Sequence, residues 1–225
     1  RRDYDAVTAY FTKEYKDDWL AQVSYTWSYL RGNTGGVFVA GSGIIQANHS
    51  SDFDTQNLTA NHDGPLPYDH THDVRLFGAK DWVISPHSRL STGVSLRGTS
   101  GAPTNYVGAD PNEGPGLVYV LPRGSGARLP WEFDADLHLA YGFSETKERG
   151  ITVSLDVFNL FNFQTVTATD EIFTNSTAVP TTGSLANLKD ASGNPIYRNQ
   201  VNPNFGNPIQ YQPPRTIRFG VRGTF

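Results

Sequence analysis

Cysteine and methionine are both missing from the 225 residues. Without cysteine there is no disulfide framework and no thiolate metal site. Long apolar runs are missing as well. Hydrophobic residues make up 37% of the chain, and no stretch approaches the roughly 20 consecutive apolar residues of a membrane-spanning helix. That excludes a helical membrane protein. It does not exclude a barrel, whose strands need apolar side chains only at alternate positions. A basic excess is absent too: the formal net charge is -4, which gives no case for nucleic acid. There is no low-complexity tract and no sequence repeat. Residue 1 is Arg, so any targeting segment is expected upstream or already removed.

What is abundant is aromatic and turn-forming. Aromatics reach 12%, and 22 Gly and 14 Pro supply turns. Seven amphipathic strands are expected at about 4–13, 19–30, 72–84, 88–102, 130–144, 150–164 and 214–225. A strand alternates faces with period two, and these segments alternate chemistry with that period. The fifth is the clearest. Trp131, Phe133, Ala135, Leu137, Leu139, Tyr141 and Phe143 share one face; Glu132, Asp134, Asp136 and His138 share the other. Aromatics at both ends of an apolar face are how two interfacial girdles look on one strand. Trp19, Trp27, Trp131, Tyr141 and Phe143 are the girdle candidates. The last segment repeats the pattern, with Ile217, Phe219, Val221 and Phe225 against Thr216, Arg218, Arg222 and Thr224.

The connections alternate. Lys16-Asp17-Asp18, Ser85-Pro86-His87-Ser88 and Lys147-Glu148-Arg149-Gly150 read as tight polar turns, whereas 31–71, 103–129 and 165–213 are long and rich in Gly, Asn, Asp, Pro and Thr. Structureless connections of that size are unusual in compact soluble domains. Short turns on one side and long loops on the other are the habit of outer-membrane barrels. The expected fold class is therefore all-β, an antiparallel transmembrane β-barrel. Seven strands are odd in number and leave two open edges, which lipid does not tolerate. Residues 1–225 are expected to be the C-terminal part of a larger barrel, with a periplasmic C-terminus.

Four segments then resemble TonB-dependent outer-membrane receptors. Asp156-Val157-Phe158-Asn159-Leu160-Phe161-Asn162 resembles their penultimate-strand motif, and Arg215 to Phe225 resembles their last strand with its terminal Phe. Leu66-Pro67-Tyr68-Asp69-His70-Thr71-His72 is similar to the approach to a strand in Oar-like members, as is Pro122 to Trp131. The resemblance implies a barrel of about 22 strands around an N-terminal plug, with a TonB box coupling it to the inner membrane. Plug and box are both absent from these residues. It implies active transport of a cargo — siderophore, peptide, glycan or protein — and a cell-outer-membrane location. The implied partners are outer-membrane lipid, the protein's own N-terminal barrel and plug, the inner-membrane TonB complex and the barrel assembly machinery, for which Phe225 would be part of the signal. A porin-like or adhesive barrel without energy coupling is the alternative, and a soluble β-sandwich enzyme or lectin a third.

The charged face supplies the candidate lumen- or plug-facing residues: Arg75, Arg97, Glu132, Asp134, Asp136, His138, Asp156, Arg218 and Arg222. Pairing Asn162 with Thr216 would set Asp156 beside Arg222. His62, Asp63, Asp69, His70, His72 and Asp73 fall within twelve residues but at no standard metal spacing. Asp52 and Asp54 lack the glycine and terminal glutamate of an EF-hand loop. No serine sits in a nucleophile elbow, and Gly32–Gly43 is not a phosphate loop. No enzyme, metal or cofactor is expected. The long loops, with Tyr106, Tyr119, Phe173, Tyr197, Phe205 and Tyr211, are the expected contact surface for cargo. Phe205-Gly206 and Pro213-Pro214 are expected to shape the approach to the last strand.

Overall fold

A computed structural model describes residues 1–35, 56–112, 114–144 and 149–225. The Gly-rich 36–43, Asp52, Asp54, and Lys147 and Glu148 of the third turn lie outside the described residues. In chain order the strands are β1 (Arg2–Lys16), β2 (Trp19–Gly32), β3 (Gly64–Pro65), β4 (His72–Ser85), β5 (Ser88–Thr99), β6 (Val107–Asp110), β7 (Gly114–Tyr119), β8 (Glu132–Ser144), β9 (Gly150–Phe158), β10 (Val166–Thr169), β11 (Ile172–Thr177), β12 (Pro208–Tyr211) and β13 (Thr216–Thr224).

The seven long strands form one antiparallel sheet in the order β1-β2-β4-β5-β8-β9-β13. The sheet does not close on itself. β1 and β13 each present a free edge among the described residues. Asp17 and Asp18 turn the first hairpin with φ of 58° and 62°, the left-handed pair that a two-residue hairpin turn requires.

Register converts the period-two pattern into rows. On one face Lys13, Ala21, Gly78, Val94, Leu137, Val157 and Ile217 run side by side across the sheet. The next row on that face, toward the turns, runs Trp19, Lys80, Thr92, Leu139, Leu155 and Phe219. Large side chains on this face meet solvent: Phe219 and Val221 are each 78% exposed. Among the described residues no second sheet packs on either face, so the long strands do not form a sandwich.

The core lies elsewhere. The largest fully buried side chains are Leu58, Leu66, Leu188, His62, Val118, Val120, Thr174 and Asp69, and every one belongs to the three long connections. These segments are not structureless. β6 pairs antiparallel with β7 and parallel with β11, and β10 pairs with β12. Val120, Ala178 and Leu188 pack under this small sheet with Tyr106, Phe173, Leu185 and Ile196 around them. Asn61 joins all three segments: its side-chain amide donates to the carbonyls of Tyr119 (3.1 Å), Val120 (3.2 Å) and Thr181 (3.0 Å). The long connections thus form one cap at one end of the sheet.

Three expectations need correction at strand ends. The sixth strand stops at Phe158, not at 164, because Asn159 and Asn162 are left-handed, with φ of 51° and 54°. Asn tolerates that region better than most residues, its short amide bonding locally. Asn159 accepts from the backbone N–H of Phe163 (2.8 Å) and donates to the carbonyls of Phe163 (2.8 Å) and Pro213 (2.9 Å). Asn162 accepts from the N–H of Arg215 at 3.0 Å. The motif is therefore a clamp holding the head of β13 onto the end of β9. The fourth strand stops at Thr99, where His72 and Ser100 exchange bonds. At Gly101 an added Cβ would lie 1.7 Å from the Leu129 carbonyl oxygen, so only glycine fits that approach.

The register of the last hairpin is the third correction. Thr216 pairs with Phe158, not Asn162, so Arg218 and not Arg222 lies opposite Asp156. The shift is four residues, an even number, so each side chain keeps its face.

Candidate functional site

The polar face of the sheet gathers its charges into three clusters. Nearest the cap, Asp73 of β4 takes Arg75 Nε at 2.6 Å and Arg97 Nη2 at 3.5 Å, and Thr99 donates to it at 3.2 Å. Arg75 and Arg97 are directly opposed; the shared carboxylate offsets a like-charge pair that would otherwise repel. Farther toward β13, Asp156 bonds His138 Nδ1 with one oxygen and Arg218 Nε with the other, the latter at 2.9 Å. Near the turns, Asp81 accepts from Tyr15 Oη at 2.8 Å, from Ser91 and from Arg89 Nη1 at 3.3 Å.

The expected residues sort as follows. Arg75 and Arg97 meet at Asp73; His138, Asp156 and Arg218 meet at one point. Asp134 faces Arg97 across the strands, and Glu132 faces Thr99. Asp136 instead accepts the Asn159 N–H at 3.0 Å and so supports the clamp. Arg222 sits opposite Thr152, away from the acids. Asp73, Asp81 and Arg89, which the sequence also places among the polar-face charges of the third and fourth strands, belong to the clusters, and so do Tyr15 and Ser91. Hairpin pairing of the polar face could have revealed Asp81 with Ser91; Tyr15 follows an irregularity in β1 and left no signal.

The apolar face carries aromatic bands. Toward the cap, His72 stacks on Trp131 (5.8 Å between centroids) and on Tyr25 (6.1 Å), and Trp131 stacks on Phe133 (5.8 Å). Trp27 meets Tyr29 edge-on. Toward the turns lie Trp19, Trp82, Tyr141 and Phe143. The three histidines that cluster between residues 62 and 73 go to three places: His62 into the cap, His70 onto the Ser100 carbonyl at 2.6 Å, and His72 onto the aromatic band.

The cap has its own electrostatics. Asp69 is almost wholly buried, accepts from the Leu30 N–H at 2.7 Å and pairs with Arg128, whose Nη1 also donates to the carbonyls of Asp69 (2.8 Å) and Gly101 (3.0 Å). One ion pair thus fastens two long connections to the end of β2. Arg123 lies over the Tyr119 ring at 4.5 Å and reaches His62 Nδ1 at 3.2 Å. Burial pushes the Glu171 carboxyl above the ordinary glutamate range, against a bond from Asn105 at 2.8 Å. Backbone N–H groups of Asn194 and its neighbours hold Asp190 below the ordinary range. Phe205, expected at the approach to β13, packs instead between Tyr106 (4.9 Å) and Phe173 (5.3 Å) in the cap. Beside them a cavity of about 360 Å³ opens, lined among others by Tyr106, Phe205, Asp170 and Glu171.

The class that these features define is an all-β wall: one large antiparallel sheet, apolar and aromatic-banded on one side, ionic on the other, capped at one end. Over its whole length the chain is 41% identical to part of the TonB-dependent transporter Oar of Myxococcus xanthus. It is homologous to a portion of that transporter and spans 22% of its length. No family model matches the chain. No solved structure matches it. A transporter relative agrees with the expectation that the chain is not an enzyme.

Proposed function

We propose that the chain is part of the barrel wall of an Oar-like TonB-dependent transporter in the outer membrane. The single observation that carries this is the 41% identity over every residue of the chain. The sheet supports it. Its two free edges suit a wall continued by other strands, and its apolar face with two aromatic bands suits a bilayer.

On this reading the Asp73, Asp156 and Asp81 clusters face the lumen, where a plug domain supplied by the rest of the protein would meet them. The cap is extracellular and meets the cargo first, the short turns are periplasmic, and so is the C-terminus. Energy would come through the inner-membrane TonB complex, engaged outside these residues. Phe225, fully exposed beyond β13, would be read by the barrel assembly machinery.

Deleting Phe225 from the complete protein tests this. The expected result is a several-fold fall in heat-modifiable protein in the outer membrane. An unchanged amount of folded, membrane-inserted protein would count against the reading.

A further inference from the structure

On the apolar face, between the register rows of Asp5 and the short turns, the fully charged side chains at paired positions are Lys13, Lys80 and, at the very end of β1 opposite Trp19, Lys16. All three stand at the turn end. Lys13 Nζ lies 4.2 Å from the centre of the Trp19 ring, and Lys80 Nζ 4.8 Å from that of Trp82. Trp82 is fixed by an indole N–H bond to Thr92 Oγ1 at 3.1 Å, and Thr92 in turn donates to the Lys80 carbonyl at 3.2 Å.

Between Lys13 and Lys80 the face is notched. A groove of about 400 Å³ runs over Ala21 and Gly78, walled by Trp19, Lys80, Thr92 and Val94. The row above it holds the bulkier Val23, Leu76 and Leu96. A Cβ on Gly78 would make only ordinary contacts, at 3.7 Å and beyond, so the backbone there has room and the missing side chain leaves the groove open.

Two ammonium groups facing hydrocarbon need an anion at the interface, and the groove beside them is wide enough for an acyl chain. We propose that this is a site for an anionic glycerophospholipid of the leaflet on the short-turn side, its phosphate between Lys13 and Lys80 and one chain in the Ala21–Gly78 groove. The two lysines play different parts. Lys13 spends its N–H groups on the carbonyls of Glu14 (3.2 Å), Lys16 (2.9 Å) and Trp19 (3.3 Å), so it contributes charge. Lys80, held by the face of Trp82, is the one that meets phosphate directly. The inference rests on the reading of this face as lipid-facing.

The test uses the complete protein in phosphatidylcholine bilayers doped with a minor fraction of phosphatidylglycerol brominated on its acyl chains. Trp19 quenching is taken as the difference between wild type and Trp19→Phe. Each basic residue near an anionic lipid is worth about fivefold in local occupancy, so quenching should report bromolipid at about tenfold or more above its bulk fraction. In Lys13→Gln/Lys80→Gln, and in Gly78→Leu, it should fall to the bulk level. Bulk-level quenching in wild type, or enrichment that survives both variants, overturns the site. Bilayers made wholly of brominated phosphatidylcholine separate the two levels. Quenching of Trp19 there in every variant shows insertion; none in wild type overturns the lipid-facing reading itself.

Discussion

Asp69→Ala should destabilise the cap by about 3 kcal/mol, the lower end for breaking a buried pair, because Arg128 is partly exposed and can turn to water. Two things are lost together, the acceptor for the Leu30 N–H and the charge partner of Arg128, while the Arg128 bond to the Asp69 carbonyl remains. Asp69→Asn keeps an acceptor for Leu30 and should cost less. The readouts are hydrogen exchange at the Leu30 amide and protease sensitivity of the connections in the complete protein. Exchange should accelerate and cleavage should begin within 103–129. Unchanged protection at Leu30 would show that the pair does not hold the cap.

The second large effect belongs to the sheet. Leu137→Arg should lower the stability of the membrane-inserted protein by about 2–4 kcal/mol, the range for an arginine on the lipid face near the bilayer middle. On its own strand Leu137 lies midway between Trp131 and Phe133 on the cap side and Tyr141 and Phe143 on the turn side. Ala140→Arg, on the opposite face between Ser91 and Ser154, should change stability by less than about 0.5 kcal/mol. Equilibrium unfolding from bilayers measures both. Equal costs at the two positions would mean that the faces do not differ in solvent.

The strands were legible because their chemistry repeats with the geometric period of a strand, so Trp131 to Phe143 could be divided into faces without coordinates. The end of β9 was not legible. Asn159-Leu160-Phe161-Asn162 sets two apolar residues between two asparagines, a pattern that does not by itself say where the strand ends; the left-handed φ of both asparagines does. That misplaced end is what set Asp156 against Arg222 rather than Arg218.

The cap was opaque for a different reason. Its core draws Leu58, Val120 and Leu188 from three separate connections with no period of any kind. Asp69 and Arg128, which secure it, lie 59 residues apart. Each occurs in a segment singled out for its family resemblance, but nothing local to either segment says that the two meet. The polar-face clusters fall between these extremes. Their residues could be assigned to a face, and the correct hairpin register was needed to say which of them touch.

The lipid-facing assignment is tested most directly along β9, and this chain brings no native cysteine to the measurement. Single cysteines at Thr152, Val153, Ser154, Leu155 and Val157 of the complete protein, each carrying a nitroxide in a bilayer, give collision rates with oxygen and with a water-soluble nickel chelate. Val153, Leu155 and Val157 should favour oxygen and Thr152 and Ser154 should not, a period-two alternation. A nickel preference at Val153, Leu155 and Val157 would contradict it.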